Sequence, residues 1–284
     1  MDQSSQTWNR AGIAPASPDT AALMERVLYE VKRVVVGQDH FLERMLVAIL
    51  AQGHLLIEGV PGLAKTLTVN TLAKTLNGSF SRIQFTPDLL PADLVGTRIF
   101  NQQTSEFSTV LGPVFANLLL ADEINRAPAK VQSALLEVMQ ERQVTIAGQT
   151  HRVPSPFLVM ATQNPIETEG TYPLPEAQLD RFLMQIDVLY PDRAAERRIL
   201  LETTSGDQAQ PKAAMSAHDL VAIQQLVRRL PVGERIVESI LDVVRMARPG
   251  EGDAAITKHV VWGPGPRAAQ ALMLASRARA LLDG

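Results

Sequence analysis

Apolar residues recur along this chain at two periods, and the changes from one period to the other mark its elements. Leu23, Val27, Leu28 and Val31 follow helical spacing behind Ser17-Pro18-Asp19, where serine suits an N-cap and proline the first helical position. That spacing predicts a helix ending near Arg33. Phe41, Leu42, Met45, Leu46, Ile49 and Leu50 predict a second helix, closed by Gly53, and residues 54–58 then read as a short buried strand. Residues 65–76 suit a helix closed by Asn77-Gly78, and residues 80–85 alternate like a strand before the turn-rich Thr86-Pro87-Asp88.

After a Gly- and polar-rich excursion at 96–113, the run 118–121 is apolar throughout, and a helix follows over about 127–140. Residues 143–147 and 150–153, joined across Gly148-Gln149, predict a β-hairpin; 157–161 is another buried strand and 183–188 a fifth. Near-continuously apolar strands alternating with helices imply a three-layer α/β sandwich around a mostly parallel five-stranded sheet, with its ligand at the carboxyl ends of the strands. Beyond Tyr190-Pro191 only helices are predicted, over 192–203, 217–229, 232–248 and 265–282, with a polar linker at 204–216. The expected organisation is a disordered tail at 1–19, an α/β domain at 20–190 and a small all-helical domain at 191–284.

Composition narrows the possibilities without choosing among them. With 284 residues, 46% of them hydrophobic, the chain can bury a sizeable core. Its formal net charge of −3, from 27 basic and 30 acidic residues, provides no global basic field, so nucleic acid and anionic lipid are not expected partners. The absence of cysteine excludes disulfides, thiolate metal sites and thiol nucleophiles. No apolar run approaches the roughly 20 residues of a membrane span, and the first residues lack a signal-peptide core, so membrane insertion is not expected and the cytoplasm is the default compartment. His40, His54, His151, His218 and His259 are scattered singly, without the spacing of a helical zinc site.

The candidate chemistry begins between the first strand and the helix after it. Gly59-Val60-Pro61-Gly62-Leu63-Ala64-Lys65-Thr66, with Leu67 behind it, reads as a phosphate-binding loop. In such a loop successive backbone N–H groups and a helix N-terminus face phosphate oxygens, glycines admit the close approach, lysine reaches the β/γ oxygens, and the threonine hydroxyl holds Mg2+. The glycine expected before the lysine is Ala64 here, one added methyl. A second piece is Asp122-Glu123 at the end of the run 118–121. Alone, such a pair more often ends a strand in a solvated turn; behind a phosphate loop it reads as Asp122 facing the magnesium of Thr66, through water, and Glu123 polarising the attacking water. Asn164, at the tip of the strand 157–161, is a candidate to hold the same water, or else an ordinary Asn-Pro turn residue.

These residues resemble the AAA+ ATPases, and among them the MoxR family. The resemblance runs from about Val35 to the C-terminus, through GVPGLAKT, LLLADEINRAPAKVQSALLEVMQERQVTI, ATQNPIETEGTYPLPEAQLDRF and GPGPRA. It implies ATP and ADP as ligands with Mg2+, a P-loop α/β core and a helical lid, incomplete here because family members carry a little more lid sequence. It also implies that Val35, Val36 and Gly37 line the adenine pocket and that Asn164 is the residue called sensor 1. Arg181, in Leu179-Asp180-Arg181-Phe182, matches an arginine finger that reaches the γ-phosphate held by a neighbouring subunit. Arg267, in Gly263-Pro264-Gly265-Pro266-Arg267, matches the sensor 2 arginine of the lid. Both roles suit a guanidinium, which is always charged and forks onto phosphate oxygens.

By the same resemblance the chain self-associates into a ring, a hexamer, and remodels or matures a client protein, often one with a von Willebrand A domain. The stretches 96–113 and 143–153 resemble insertions that project toward a pore or client; plain surface hairpins are the equal alternative. Asn125-Arg126 look placed for a contact between subunits, with no role defined. A nucleic-acid-translocating motor on the same core is disfavoured by the net acidity, and because Arg98 and Arg152 are the only basic groups of the two insertions apart from His151. A GTPase would offer an Asn-Lys-x-Asp segment, which is missing, and a phosphate-loop kinase would not need an arginine supplied by a neighbour.

Overall fold

The computed structural model describes residues 18–60, 62–103, 105–165, 170–203 and 209–283. The expected tail through residue 17, with the cap Ser17, lies outside them, as does Pro61. The chain opens with helices α1 (Pro18–Lys32) and α2 (Asp39–Ala51), strand β1 (Leu55–Glu58), helix α3 (Lys65–Thr75), strand β2 (Phe80–Gln84) and the short helix α4 (Pro91–Val95). Strands β3 (Gly96–Asn101), β4 (Glu106–Leu111) and β5 (Leu118–Asp122) lead through a 3-10 turn, Ile124–Arg126, to α5 (Ala129–Glu141). Strands β6 (Gln143–Ile146), β7 (Gln149–Arg152) and β8 (Leu158–Gln163), helix α6 (Glu176–Leu179) and strand β9 (Met184–Asp187) complete the α/β part. Among the described residues only helices follow: α7 (Arg193–Thr203), α8 (Ala217–Arg229), α9 (Glu234–Met246), α10 (Ala254–Thr257) and α11 (Pro266–Leu282).

Five strands form one parallel sheet in the order β2-β5-β8-β1-β9, the α/β architecture that the apolar runs predict. Its central strands are buried on both faces, and the two-residue period divides them between two cores. Leu118 and Leu120 of β5, Leu158 and Met160 of β8, and Leu55 and Ile57 of β1 join one core with α1, α2 and α3. Leu119, Ala121, Val159, Ala161 and Leu56 join the other, with α5. Burying each of these leucines contributes about 2 kcal/mol. The helical segment is part of the first core: Leu220, Ile223 and Val227 of α8 and Ala278 and Leu281 of α11 pack into it.

Two antiparallel hairpins leave the sheet, β3–β4 and β6–β7. The first answers to the 96–113 excursion, and its base is closed by glycines: a Cβ on Gly96 would stand 2.2 Å from the Val110 carbonyl oxygen, and one on Gly112 2.2 Å from that of Leu94. Ile99, Phe100, Phe107 and Val110 are exposed along it. The second hairpin turns at Ala147-Gly148, one residue earlier than the pattern predicts. Both turn residues have positive φ, 48° and 82°, the two-residue connection that matches strand twist; alanine at its first position sends no turn signal. The short helices α4, α6 and α10 also escape the pattern, being too brief to show a period. Among the described residues no helix is long and apolar enough to cross a membrane.

His54, 6% exposed at the entering end of β1, ties the sheet to α5. The Val159 N–H donates to its Nδ1 at 3.0 Å, so Nε2 carries the proton and donates to the Met139 carbonyl oxygen at 3.2 Å. Burial, with Arg142 nearby, lowers its pKa from 6.5 to about 3. Between those values the unfolded chain takes up a proton that the folded chain refuses, so stability is complete above pH 6.5 and falls as the pH drops toward 3. Urea unfolding should therefore show His54→Gln less stable than wild type near neutrality, yet losing about 3 kcal/mol less between pH 7 and 4.5. Parallel losses in the two proteins would contradict a buried neutral imidazole.

Candidate nucleotide site

The phosphate loop lies between the leaving end of β1 and the start of α3, and its backbone is open where a ligand would need it. Gly62 has φ +86° with nothing within 4 Å of an added Cβ. Ala64 caps α3 in the left-handed conformation, φ 55°, a geometry that costs a residue with a side chain about 1–2 kcal/mol. The missing glycine is thus a matter of backbone strain as well as of one methyl. Leu63 is buried in the first core, and Val60 packs against it. Lys65 Nζ donates to the Gly59 carbonyl oxygen at 2.7 Å. Burial lowers the Lys65 pKa, while Asp122 and Glu123 oppose the shift.

One cavity of about 250 Å³ at the leaving edge of the sheet is lined by Gly59, Lys65, Thr66, Asp122, Glu123 and Asn164, among others. By strand alternation Asp122 shares the face of Leu118 and Leu120, the side on which α3 packs, so it faces the helix that carries Thr66. Glu123 diverges from it for a different reason than alternation: it has left the strand and holds the left-handed conformation, φ 56°. Asp122 Oδ1 accepts from the Thr162 hydroxyl at 2.5 Å, and Oδ2 from Arg82 at 2.6 Å. The Glu123 N–H donates to the same Thr162 oxygen at 2.9 Å, and its carboxylate pairs with Arg126 at 2.7 Å. Asn164 is 7% exposed.

A second cavity, about 560 Å³, shares Leu67 with the first and adds Val34, Val36 and Asn70. Val35 turns into the first core, and Gly37 lies against α7, where an added Cβ would meet that of Ala195 at 2.7 Å. Of the three residues expected at an adenine pocket, Val36 is the one that lines this space.

Thr66 and Asp122 offer a hydroxyl and a carboxylate, hard oxygen donors of the kind Mg2+ takes; Asp122 Oδ1, accepting only from Thr162, keeps a further lone pair for a water, whereas Oδ2 accepts from both Nε and Nη2 of Arg82. Among the described residues no group of three or more His, Asp or Glu could cage a metal. The donor set fits a cation that completes its shell with water and phosphate oxygens.

Arg181 and Arg267 lie elsewhere. Arg267 pairs with Asp180 at 3.2 Å, and Arg181 donates to the Leu136 carbonyl oxygen at 3.0 Å. Both line a cavity of about 330 Å³ with Gly53, His54 and Leu183, at the entering ends of β1 and β9. The length of β1, about 10 Å, separates them from the loop. The lid arginine expected at a phosphate therefore stands away from that of its own chain, because α11 packs on α2 and starts beside Asp180.

Arg82, Gln84 and Thr162 enter the site without having been singled out. Gln84 is the register partner of Asp122 and Arg82 lies two residues before it on the same face, so only the β2–β5 pairing reveals them.

The chain matches the ATPase family associated with various cellular activities (AAA) over residues 54–184. It is 54% identical to the chaperone MoxR1 of Mycobacterium tuberculosis over 263 residues, 92% of this chain and 70% of that protein. It is 43% identical to YeaC of Bacillus subtilis, over 93% of this chain and 81% of the relative, and 32% identical to the protein MoxR of Methylorubrum extorquens, over 94% and 81%. The crystal structure of a protein from Cytophaga hutchinsonii, provisionally assigned as an ATPase, superposes with a TM-score of 0.87 at 47% identity, covering 93% of this chain and 81% of that one.

If Ala64 stores strain, Ala64→Gly should gain up to about 1 kcal/mol in urea unfolding and bind a fluorescent ATP analogue at least as tightly, whereas the β-branched Ala64→Val should lose binding. A destabilised glycine variant would contradict the strained cap.

Proposed function

Because this chain belongs to the MoxR family of AAA+ ATPases, we propose that it hydrolyses ATP with Mg2+ in a ring of identical subunits and spends the energy on remodelling a partner protein. The observation that carries the reading is the convergence on one cavity of Lys65 and Thr66 from α3, Asp122 and Glu123 from the end of β5, and Asn164 from the end of β8. Phosphoryl transfer needs little covalent help from a protein, so positioning and charge compensation by such a set account for most of the catalysis.

On this reading, backbone N–H groups of the loop and Lys65 hold the β- and γ-phosphates, and Thr66 and Asp122 hold the magnesium, which when bound offsets charge on those phosphates. Glu123 accepts the proton of the attacking water as its oxygen bonds to the γ-phosphorus and the bond to ADP breaks. Asn164 orients that water. Val36 and Leu67 lie toward the base.

Completion of the site by a neighbour is supported by the separation of the arginines from their own loop. Arg181 and Arg267 share one face, and a ring of heterologous contacts would set that face against the next subunit's cavity. The remodelling role is supported by the relative named a chaperone. The client class, proteins with von Willebrand A domains, is the one that the family resemblance implies, and the cytoplasm is the default setting expected from the sequence.

Mixing variants tests the shared site. Lys65→Ala should abolish ATP binding, and Arg181→Ala should lower turnover by about a thousandfold with binding kept. Mixed together, the two inactive proteins should regain turnover, since some interfaces then join an intact Lys65 to an intact Arg181. A mixture as inactive as its parts, from proteins that still assemble, would contradict completion in trans. Glu123→Gln should retain ATP and reduce hydrolysis to a slow residual rate; normal turnover in that variant would remove its assigned role.

A further inference from the structure

We propose that Arg126 is a positioning residue for hydrolysis, fixing the carboxylate of Glu123 in the orientation from which it takes the proton of the attacking water. The inference rests on the reading of Glu123 as that base.

Glu123 departs from β5 in the left-handed conformation, φ 56° and ψ 51°, which is unfavourable for a residue with a side chain and persists only where its surroundings hold it. What holds it is visible on both sides. Its N–H donates to Thr162 Oγ1 at 2.9 Å, and its carbonyl oxygen accepts from the Arg126 N–H at 2.9 Å, closing the 3-10 turn. Arg126 stands three residues on, and its Nε lies 2.7 Å from Glu123 Oε2.

The turn does not need that ion pair in order to form. Ile124 and Ala127 are wholly buried in the second core. Gln132 of α5, 1% exposed, directs its Nε2 at the carbonyl oxygens of Ile124, Ala127 and Tyr172, at 3.2, 3.1 and 2.9 Å. The Tyr172 N–H in turn donates to the Asn125 carbonyl oxygen at 2.6 Å. With the backbone fixed by buried apolar side chains and by these bonds, what Arg126 contributes is the direction of a flexible carboxylate. Stability is a poor reason for the pair, since partly exposed ion pairs contribute little; Arg126 and Glu123 side chains are 39% and 24% exposed.

The test compares Arg126→Ala and Arg126→Lys in two backgrounds, with Glu123 intact and with Glu123→Gln. In the intact background Arg126→Ala should lower kcat by about tenfold or more, while affinity for a fluorescent ATP analogue and thermal midpoint stay close to wild type. Arg126→Lys, which keeps a cation within reach, should recover most of the rate. In the Glu123→Gln background, single-turnover hydrolysis should be no slower after Arg126→Ala than before it, because no carboxylate remains to be directed. Unchanged or faster turnover in Arg126→Ala, or an equal loss in both backgrounds, would overturn the proposal while leaving Glu123 as the base. Normal turnover in Glu123→Gln alone would overturn the base assignment and this proposal with it.

Discussion

From Leu118 to Ala121 no side chain of β5 reaches water, so polar chemistry on that strand can begin only at Asp122, where the chain emerges from the two cores. The rest of the site follows from this constraint. A parallel sheet buried on both faces has only its two edges free for ligands, and parallel strands bring all their leaving ends to the same edge. The loop after β1, the acids after β5 and Asn164 after β8 meet there because β5, β8 and β1 are neighbours in the sheet. Thr162 links the two acids, its hydroxyl donating to Asp122 and its oxygen receiving the Glu123 N–H.

How much of this could be read from the sequence depends on how local each feature is. The strands 118–121 and 157–161, the loop at 59–66 and the helices around them are written in runs and periods of a few residues, and their element types are as expected. Asp122 and Glu123 were visible as acids at a strand end, but the left-handed conformation that parts them was not, because glutamate is not a residue that announces it. Arg82 and Thr162 act through strand pairings, and Gln132 through the packing of α5 on the turn. These are contacts between residues far apart in the chain, and no short-range pattern records them. The turn at Ala147-Gly148 was missed for a local reason, an alanine doing what asparagine or glycine usually does.

The arginines show the same limit at a larger scale. Their motifs imply phosphate contacts, yet where a guanidinium points depends on how α11 sits on α2 and how α6 precedes β9. That packing sets Arg181 and Arg267 at the entering edge, beside His54 and Gly53, with the full depth of the sheet between them and the loop of the same chain. Lys65 and Arg82 line the cradle at one end of the sheet, and Arg181 and Arg267 lie at the other. In the proposed ring, head-to-tail association would set Arg181 and Arg267 against the next subunit's loop, and the proposed account of hydrolysis depends on it.

The most direct measurement is therefore turnover per subunit as a function of protein concentration, followed alongside the mass of the species in solution with saturating ATP. The account predicts that turnover per subunit rises as monomers assemble and levels off when assembly is complete. Constant turnover per subunit down to concentrations at which only monomers remain would contradict it.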